Sequence, residues 1–247
     1  SFKGKLYISD NPFNWPSGDM FAGLENYTEG IRKTGFFAAF GWSAFITVGS
    51  VLVIVLFTSM TAWYITRVKT RLSNTLYYLF VFSMVVPFQM VMFTMSKLAD
   101  MLKLNNPVGM IFLYLGFGAG LSVFMFCGFV KSIPLEIEEA AMIDGCTPIQ
   151  TFFQIVMPIL KPTAITVAIL NAMWVWNDYL LPYLVIGVST PYKTIPVAVQ
   201  YLMGSYGAKD YGSMMALLVL AIIPIIVFYL FCQKYIIEGV VAGAVKG

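Results

Sequence analysis

The chain has 247 residues, of which 59% are hydrophobic and only 11% are charged, whereas soluble domains use about 45–50% apolar and about 25% charged residues. This balance excludes an ordinary soluble domain and favours a membrane protein, and the modest net charge of +3 without a basic stripe predicts no nucleic-acid partner. The absence of histidine and the irregular spacing of three cysteines exclude a histidine-based triad, a histidine zinc site and a disulfide framework.

Long uncharged runs dominate the rest of the chain. Residues 1–35 are rich in proline, glycine, asparagine and aromatic residues and predict an irregular extracytoplasmic segment. Each run that follows exceeds the roughly 20 residues that a helix needs to cross a bilayer. The runs are 34–66, 72–96, 104–130 and 211–233, without Asp, Glu, Lys or Arg, and 162–192, which contains only Asp178. We therefore predict an all-α membrane protein, with five transmembrane helices in a domain spanning 36–236 and a cytoplasmic tail at 237–247.

The short loop at 67–71, "RVKTR", sets the predicted orientation. It carries three cations and no acid, which by the positive-inside rule places it in the cytoplasm. The loops at 97–107 and 188–210 are then outside, and the loop at 131–162 is inside. Five spans with an inside C-terminus place the N-terminus outside, so we expect one further helix to precede residue 1.

An acidic segment, "EEAAMIDGCTPIQTFFQIVMPILKP" at 138–162, separates two of the apolar runs. It predicts a short helix at 135–143, a turn at Gly145 and a second short helix that starts with a capping box of Thr147 and Gln150. The two prolines near its end are expected to interrupt the chain before it returns to the membrane. These residues fit either an amphipathic hairpin at the lipid headgroups or a docking surface for a soluble partner. The lack of cations on the first helix favours docking.

Within this segment, "EAAMIDG" followed by "FFQIVMPILKP" resembles the EAA loop of binding-protein-dependent ABC importer permeases. The stretches "NPFNWP…GLENY", "WNDYLLP" and "EGVVAGAVKG" are similar to the carbohydrate-uptake, maltose-type branch. The resemblance implies a type I ABC importer transmembrane domain, with a cytoplasmic EAA loop at 132–161 whose coupling helix docks on an ATPase subunit. The docking residues that it implies are Glu138, Glu139, Ala140, Ala141, Asp144 and Gly145.

The resemblance also implies partners and a location. The partners are a second permease subunit, expected to be a different chain, two cytoplasmic ATPase subunits, an extracytoplasmic sugar-binding protein and membrane lipid. The location is the cytoplasmic (inner) membrane of a bacterium or archaeon. Because the chain has no G-x-x-x-x-G-K-[ST] phosphate loop, we expect a transport subunit that is no enzyme and binds no cofactor, with ATP and Mg used by the partner ATPase subunits.

The implied function is import of a sugar or oligosaccharide. A polyol or a glycerol-phosphate-type solute is an alternative cargo within the same family. A secondary transporter or channel subunit is an alternative of another class, but it would predict charged coupling residues in several helices, and the apolar runs contain only Asp178.

Asp178 leads the candidates for contact with substrate, because ionisable groups at membrane depth usually face a bundle interior or a water-filled cavity. Trp174, Asn177 and Tyr179 beside it would suit sugar binding. An interfacial aromatic belt and a hydrogen bond to a neighbouring helix explain the same residues. Gln89 is a further candidate for the substrate path, although packing is its favoured role.

Glycines at alternate positions of "LGFGAGLS" are predicted to allow close contact between helices rather than to form a site. These glycines are Gly116, Gly118 and Gly120.

Overall fold

The computed structural model describes residues 1–10, 12–187, 190–203 and 210–244. Within these ranges the chain is helical and has no strand beyond a single bridge between Lys3 and Phe21. The prediction of an all-α membrane domain is therefore confirmed. The helices are α1 Lys5–Asp10, α2 Glu25–Thr34, α3 Phe36–Arg67, α4 Arg71–Ser83, α5 Phe88–Met101, α6 Pro107–Val130, α7 Leu135–Ile143, α8 Pro148–Thr151, α9 Met157–Asn177, α10 Leu180–Pro182, α11 Ile195–Gln200 and α12 Tyr211–Ala244.

Short irregular helical turns supplement these elements. π-Helical stretches at Phe152–Val156 and Tyr183–Gly187 follow α8 and α10, and 3-10 turns lie at Gly18–Met20 and Tyr201–Met203. The predicted C-terminal tail at 237–247 begins inside α12, whose backbone is helical to Ala244, and residues 245–247 lie outside the described ranges. The loop predicted at 188–210 likewise includes residues outside them, at 188–189 and 204–209.

Four described stretches are long and apolar enough to cross a membrane: α3, α6, the helix at 148–177 and Tyr211–Lys234 of α12. Helices α4 and α5 qualify only as a pair, and they are bent by 107°. The predicted second span is therefore broken, because Pro87 has no N–H to continue a helical ladder and disfavours helical backbone in the residue before it. Counted as one span, the pair completes the five predicted helices.

Close packing of α6 against its neighbours holds the centre of the domain together. Helix α3 packs along α6 and α9, and α4 packs on α6. A β-carbon at Gly118 would lie 2.7 Å from Cδ1 of Ile54 on α3 and 2.7 Å from Oδ1 of Asn171 on α9. At Gly120 it would lie 2.9 Å from a backbone oxygen of α4, whereas at Gly116 it would meet open space. The predicted close contact between helices is confirmed for Gly118 and Gly120, and it is wrong for Gly116 within this chain.

The first 35 residues are less irregular than predicted, because they contain α1 and α2. The amide of Asn26 donates to the carbonyl oxygens of Ser1 at 2.7 Å and Lys3 at 2.8 Å, which folds the start of the chain back onto α2. Helix α2 packs on α12, and Lys33 forms a 2.8 Å ion pair with Asp210. Burial alone would raise the pKa of Asp210, but the hydrogen bonds from Lys33 and from the start of α12 outweigh burial and lower the pKa to about 2.

Candidate functional site

The segment at 132–161, which we call the EAA loop after the resemblance, folds, as predicted, into two short helices joined at a glycine. Helix α7 ends at Ile143, and Gly145 has a φ of +88°, a left-handed conformation that residues with a β-carbon rarely adopt. Helix α8 begins with the predicted capping box: Oγ1 of Thr147 accepts from the backbone of Gln150 at 3.3 Å, and Oε1 of Gln150 accepts from the backbone of Thr147 at 2.8 Å. The tip of the loop therefore has one defined shape.

The predicted interruption by prolines at the end of this loop is wrong. Helix α8 continues through the π-helical stretch into α9, which makes one helix from Pro148 to Asn177. In the π-helical stretch the N–H of Met157 bonds to the carbonyl oxygen of Phe152, five residues earlier. This shift of register lets Pro158, which has no N–H, follow without breaking the helix, and Pro162 is accommodated inside α9. The EAA loop is thus directly continuous with a membrane-spanning helix.

Most of the predicted docking residues lie on the exposed side of the loop. The exposed ones are Glu139, Ala140, Asp144 and Gly145. Apolar side chains accompany them at the tip, where Ile143 is 86% exposed and Ile149 is 65% exposed. Exposed apolar residues surrounded by polar ones are typical of protein interaction sites. The exposed side of the loop therefore has the character of a docking surface.

The other two predicted docking residues, Glu138 and Ala141, lie on the buried side of α7, with Glu138 only 2% exposed. Oε1 of Glu138 accepts from Nε and Nη2 of Arg67 at 2.9 and 2.6 Å, and Oε2 accepts from Nε1 of Trp63 at 2.8 Å. Both donors belong to the last turns of α3. The structure thus places Glu138 against α3 of this chain, apart from the exposed residues that were predicted to dock. The sequence signal was the three-residue spacing of Glu138 and Ala141, which puts them on one face.

A cavity of about 320 Å³ opens at the break between α4 and α5. Ser83 and Phe88 border it on the two sides of the break, and Asn171 and Trp174 border it from α9. The buried amide of Asn171 donates to Oγ of Ser122 at 3.1 Å and to a carbonyl oxygen of its own helix at 2.9 Å. The polar groups at the wall are a hydroxyl, a carboxamide and an indole. Sequence reasoning missed Asn171, although an amide inside an apolar run was a visible signal.

Of the predicted substrate-path residues, Trp174 borders this cavity, with its ring 5.4 Å from Tyr114 in an edge-on arrangement. Gln89 is exposed on α5, one residue beyond the cavity wall. Asn177 is exposed and donates to a carbonyl oxygen of its own helix at 2.7 Å. Tyr179 stacks on Tyr183 with ring centres 5.2 Å apart. The structure therefore does not gather these residues into one site within the described chain.

Asp178 is held by this chain's own groups. Its Oδ2 accepts from the hydroxyl of the fully buried Tyr114 at 2.9 Å, and its Oδ1 accepts from the backbone of Leu180 at 3.0 Å. These bonds join α6 to the end of α9 and fix the turn into α10. The arrangement fits the helix-pairing alternative for Asp178, and its contact with substrate stays a prediction.

Comparison with known proteins extends this description. A family model described as "Binding-protein-dependent transport system inner membrane component" matches residues 54–241. The probable starch degradation products transport system permease protein AmyC of Thermoanaerobacterium thermosulfurigenes is 39% identical over 246 residues, which cover 100% of this chain and 88% of that protein. The multiple sugar-binding transport system permease protein MsmG of Streptococcus mutans is 36% identical over 249 residues, with the same coverage of 100% and 88%.

The fold is also similar to that of a solved structure, a bacterial ABC transporter involved in the import of the acidic polysaccharide alginate. The TM-score is 0.70 at 19% identity, with 95% of this chain and 86% of that chain covered. At this identity the likeness bears on the fold alone. The family match and the two relatives confirm the resemblance first seen in the EAA segment, and the chain belongs to the binding-protein-dependent transport system inner membrane components.

Proposed function

We propose that this chain is the membrane-spanning permease subunit of an ATP-driven importer for a sugar or oligosaccharide, located in the cytoplasmic membrane of a bacterium or archaeon. A second permease subunit completes the translocation path, and an extracytoplasmic binding protein delivers the sugar. Two cytoplasmic ATPase subunits bind ATP and Mg, and the EAA loop of this chain docks on one of them. Family membership favours this importer over the secondary transporter or channel subunit that the residues alone left open.

The exposed tip of the EAA loop is the observation that carries the docking proposal. A helix lying at the headgroups would bury its apolar residues in lipid and present cations to the anionic lipid surface. Helix α7 instead carries three acids and no Lys or Arg, which disfavours an anionic lipid surface, and its last residue, Ile143, leaves an apolar side chain 86% exposed for a partner to cover. A protein surface with an apolar cleft and basic groups would complement this tip. We define the docking surface as Glu139, Ala140, Met142, Ile143, Asp144, Gly145 and Ile149.

Continuity of the helix from Pro148 to Asn177 supplies a route from docking to transport. Closure of the ATPase subunits on ATP displaces the docked loop. Because α8, the second helix of the loop, is continuous with α9, the displacement reaches Asn171 and Trp174 at the cavity wall. A change in the position of this wall relative to α4 and α5 would open the cavity to one side of the membrane and close it to the other.

The sugar cargo is proposed from two observations. The names of the two relatives refer to starch degradation products and to multiple sugars. The cavity wall also suits a sugar, because Oγ of Ser83, whose proton goes to the carbonyl oxygen of Phe80, can accept from a sugar hydroxyl, and the indole of Trp174 can cover the apolar face of a pyranose ring. These neutral groups fit an uncharged sugar better than a phosphorylated glycerol.

The docking proposal is tested with Glu139→Lys, which reverses one charge on the docking surface. We expect the ATPase subunit to be lost on purification in detergent, while the thermal unfolding of the permease stays unchanged because Glu139 is exposed. Gly145→Val should act in the same direction, since it forces a β-branched residue into a φ of +88°. Asp19→Lys, an equally exposed acid in the N-terminal segment, is the matched control. Retention of the ATPase subunit and of coupled transport by Glu139→Lys would contradict the proposal.

The cargo is tested separately, with the complete transporter and its binding protein in proteoliposomes. Uptake of a radiolabelled maltooligosaccharide, a hexitol and glycerol 3-phosphate is compared with ATP present and absent. We expect ATP-dependent uptake of the oligosaccharide. Uptake confined to the hexitol or to glycerol 3-phosphate would overturn the sugar assignment and leave the docking proposal intact.

A further inference from the structure

The buried acid of the EAA loop has a role distinct from docking. Glu138 is 2% exposed, and both of its carboxylate oxygens accept hydrogen bonds from α3. Arg67 and Trp63 lie four residues apart and therefore project from one face of that helix. The guanidinium binds one carboxylate oxygen and the indole binds the other. Glu138 is thus committed to this chain and is not available to a soluble partner.

The same two residues of α3 hold both arms of the EAA loop. Nη2 of Arg67 also donates to the carbonyl oxygen of Ile133 at 2.9 Å, which fixes the chain just before α7 begins. The ring of Trp63 packs against Phe152 on the returning arm, with ring centres 5.6 Å apart, and Phe152 is 1% exposed. Neither arm can therefore shift along α3 without breaking a buried contact.

Helix α3 extends from this attachment to Gly118 of α6, which borders the cavity. It is 32 residues long, which corresponds to about 48 Å at the usual rise of an α-helix. Near the middle of α3, Ile54 packs so closely on Gly118 that a β-carbon there would lie 2.7 Å from Cδ1 of Ile54. Gly118 itself borders the cavity. A rigid helix that is fixed to the loop at one end and packed on the cavity wall at its middle can carry a displacement between them.

We infer that Arg67, Glu138 and Trp63 form a latch that ties the EAA loop to α3, so that ATP-driven displacement of the loop moves α3 together with α9. This inference rests on the proposed docking of the loop. It makes Arg67, Glu138 and Trp63 positioning residues: they touch neither ATP nor cargo, and they make the loop, α3 and α9 move as one body. Without the latch, the loop could follow the ATPase subunit while α3 stayed behind.

Stability alone is an insufficient account of this cluster. A buried ion pair often contributes little net stability, because desolvation of the two charges offsets their attraction. Two observations instead favour a mechanical role. Three hydrogen bonds from α3 converge on the carboxylate of Glu138, and the same two residues of α3 also contact Ile133 and Phe152 on the two arms of the loop. The experiment must therefore separate transmission of movement from folding and from docking.

The test uses the complete transporter in proteoliposomes, with the native cysteines replaced and a single reporter, Leu121→Cys, at the cavity wall. Three quantities are measured: recovery of the ATPase subunits, ATP hydrolysis, and labelling of the reporter by an impermeant thiol reagent with and without ATP and vanadate. The mild latch variant is Trp63→Phe, which keeps the ring on Phe152 but removes the indole N–H. The stronger variants are Glu138→Gln and Arg67→Met, and Glu136→Gln, an exposed acid of the same helix, is the matched control.

With an intact latch, ATP and vanadate change the labelling of the reporter. In the latch variants we expect the ATPase subunits and ATP hydrolysis to be retained, and the nucleotide-dependent change in labelling to fall by about 5-fold or more, the lower end of ordinary coupling factors. The exchanged pair Arg67→Glu with Glu138→Arg should restore part of the response, and Glu136→Gln should behave as the parent.

Two outcomes would overturn the latch. The first is a normal labelling response in both Trp63→Phe and Glu138→Gln. The second is loss of the ATPase subunits from Glu138→Gln with the permease still folded, which would make Glu138 a docking residue. Failure of the docking proposal itself appears elsewhere, as retention of the ATPase subunits by Glu139→Lys, so the two failures are distinguishable.

Discussion

The hydrogen bond between Tyr114 and Asp178 decides whether Asp178 serves the fold or the cargo. The tyrosine hydroxyl donates to the carboxylate at 2.9 Å from a fully buried ring on α6. Tyr114→Phe removes this hydroxyl but keeps the ring, which meets Trp174 edge-on at 5.4 Å. The substitution therefore isolates one hydrogen bond, while Asp178 keeps its bond to the backbone of Leu180 at 3.0 Å.

The expected cost follows from the charge on the acceptor. A hydrogen bond to a charged group contributes about 1.5–3 kcal/mol, so we expect the free energy of unfolding to fall by about that amount in Tyr114→Phe. For a chain of this size about 1 kcal/mol corresponds to about 2–4 °C in Tm, which gives a decrease of about 3–12 °C. Asp178→Asn keeps an acceptor but loses the charge, so its decrease should be smaller. Thermal unfolding of the purified transporter in detergent, followed by light scattering, measures both.

Asn177→Ala is the matched control, because Asn177 is adjacent to Asp178 and exposed, and its amide donates to the backbone of its own helix. Its free energy of unfolding should change by no more than about 0.5 kcal/mol, as is usual for surface substitutions. Transport by Tyr114→Phe, normalised to folded complex, should equal that of the parent. An unchanged Tm together with a raised sugar concentration for half-maximal uptake would refute the structural assignment and return Asp178 to the substrate path.

Two further predictions concern packing and topology. Gly118→Ala should lower the free energy of unfolding by about 1–3 kcal/mol, the usual cost of overpacking, since its β-carbon would lie 2.7 Å from atoms of Ile54 and Asn171. Gly116→Ala should be neutral or slightly stabilising, because its β-carbon would meet open space. Equal Tm values for the two variants would contradict the packing described. Single cysteines at the exposed positions Lys69 and Lys97, in a cysteine-free background, should be labelled from opposite sides of the membrane if the bent pair α4 and α5 crosses it; labelling of both from the same side by an impermeant reagent would make the pair a re-entrant loop and reduce the spans to four.

Hydropathy was sufficient to locate the straight helices, because in a bilayer the length of an apolar run and the need to satisfy the backbone fix a helix almost alone. The run at 104–130 corresponds to α6 at Pro107–Val130. The structure adds the cap at Asn106, whose side chain accepts from the backbone of Gly109 at 2.8 Å. The capping box at Thr147 was readable from the sequence, since all of its atoms belong to four consecutive residues.

Hydropathy could not supply the bend between α4 and α5 or the passage through Pro158. A proline removes one backbone donor, but the sequence does not say whether the chain then breaks, as at Pro87, or shifts register into a π-helical stretch, as before Pro158. Packing against other helices decides between these outcomes. Hydropathy also could not predict the hydrogen-bonded side-chain pairs, since Arg67 and Glu138 are 71 residues apart and Tyr114 and Asp178 are 64 residues apart in the sequence.

The glutamates of α7 show how burial separates structural from functional acids. Glu136 and Glu139 are exposed, whereas Glu138 is buried against donors from α3. A buried carboxylate requires hydrogen-bond or ion-pair partners, because leaving one unpaired is costly. The half-buried carboxylate of Asp178 and the buried amide of Asn171 are paired likewise, with Tyr114 and Ser122. Polar groups satisfied in this way organise the helices.

Trp174 at the cavity wall and Ile143 on the loop tip are placed differently. Trp174 is 42% exposed beside the cavity, and Ile143 is 86% exposed at the loop tip among exposed acids. Their apolar surfaces are stabilised further only by contact with something outside the chain, since burial of that surface is favourable and this chain leaves it open. A sugar ring at the cavity and an ATPase subunit at the tip would each provide that contact. The proposed latch joins the loop that carries the tip to α3, and α3 packs on Gly118 of the cavity wall, so the latch connects the two surfaces as a coupling element must.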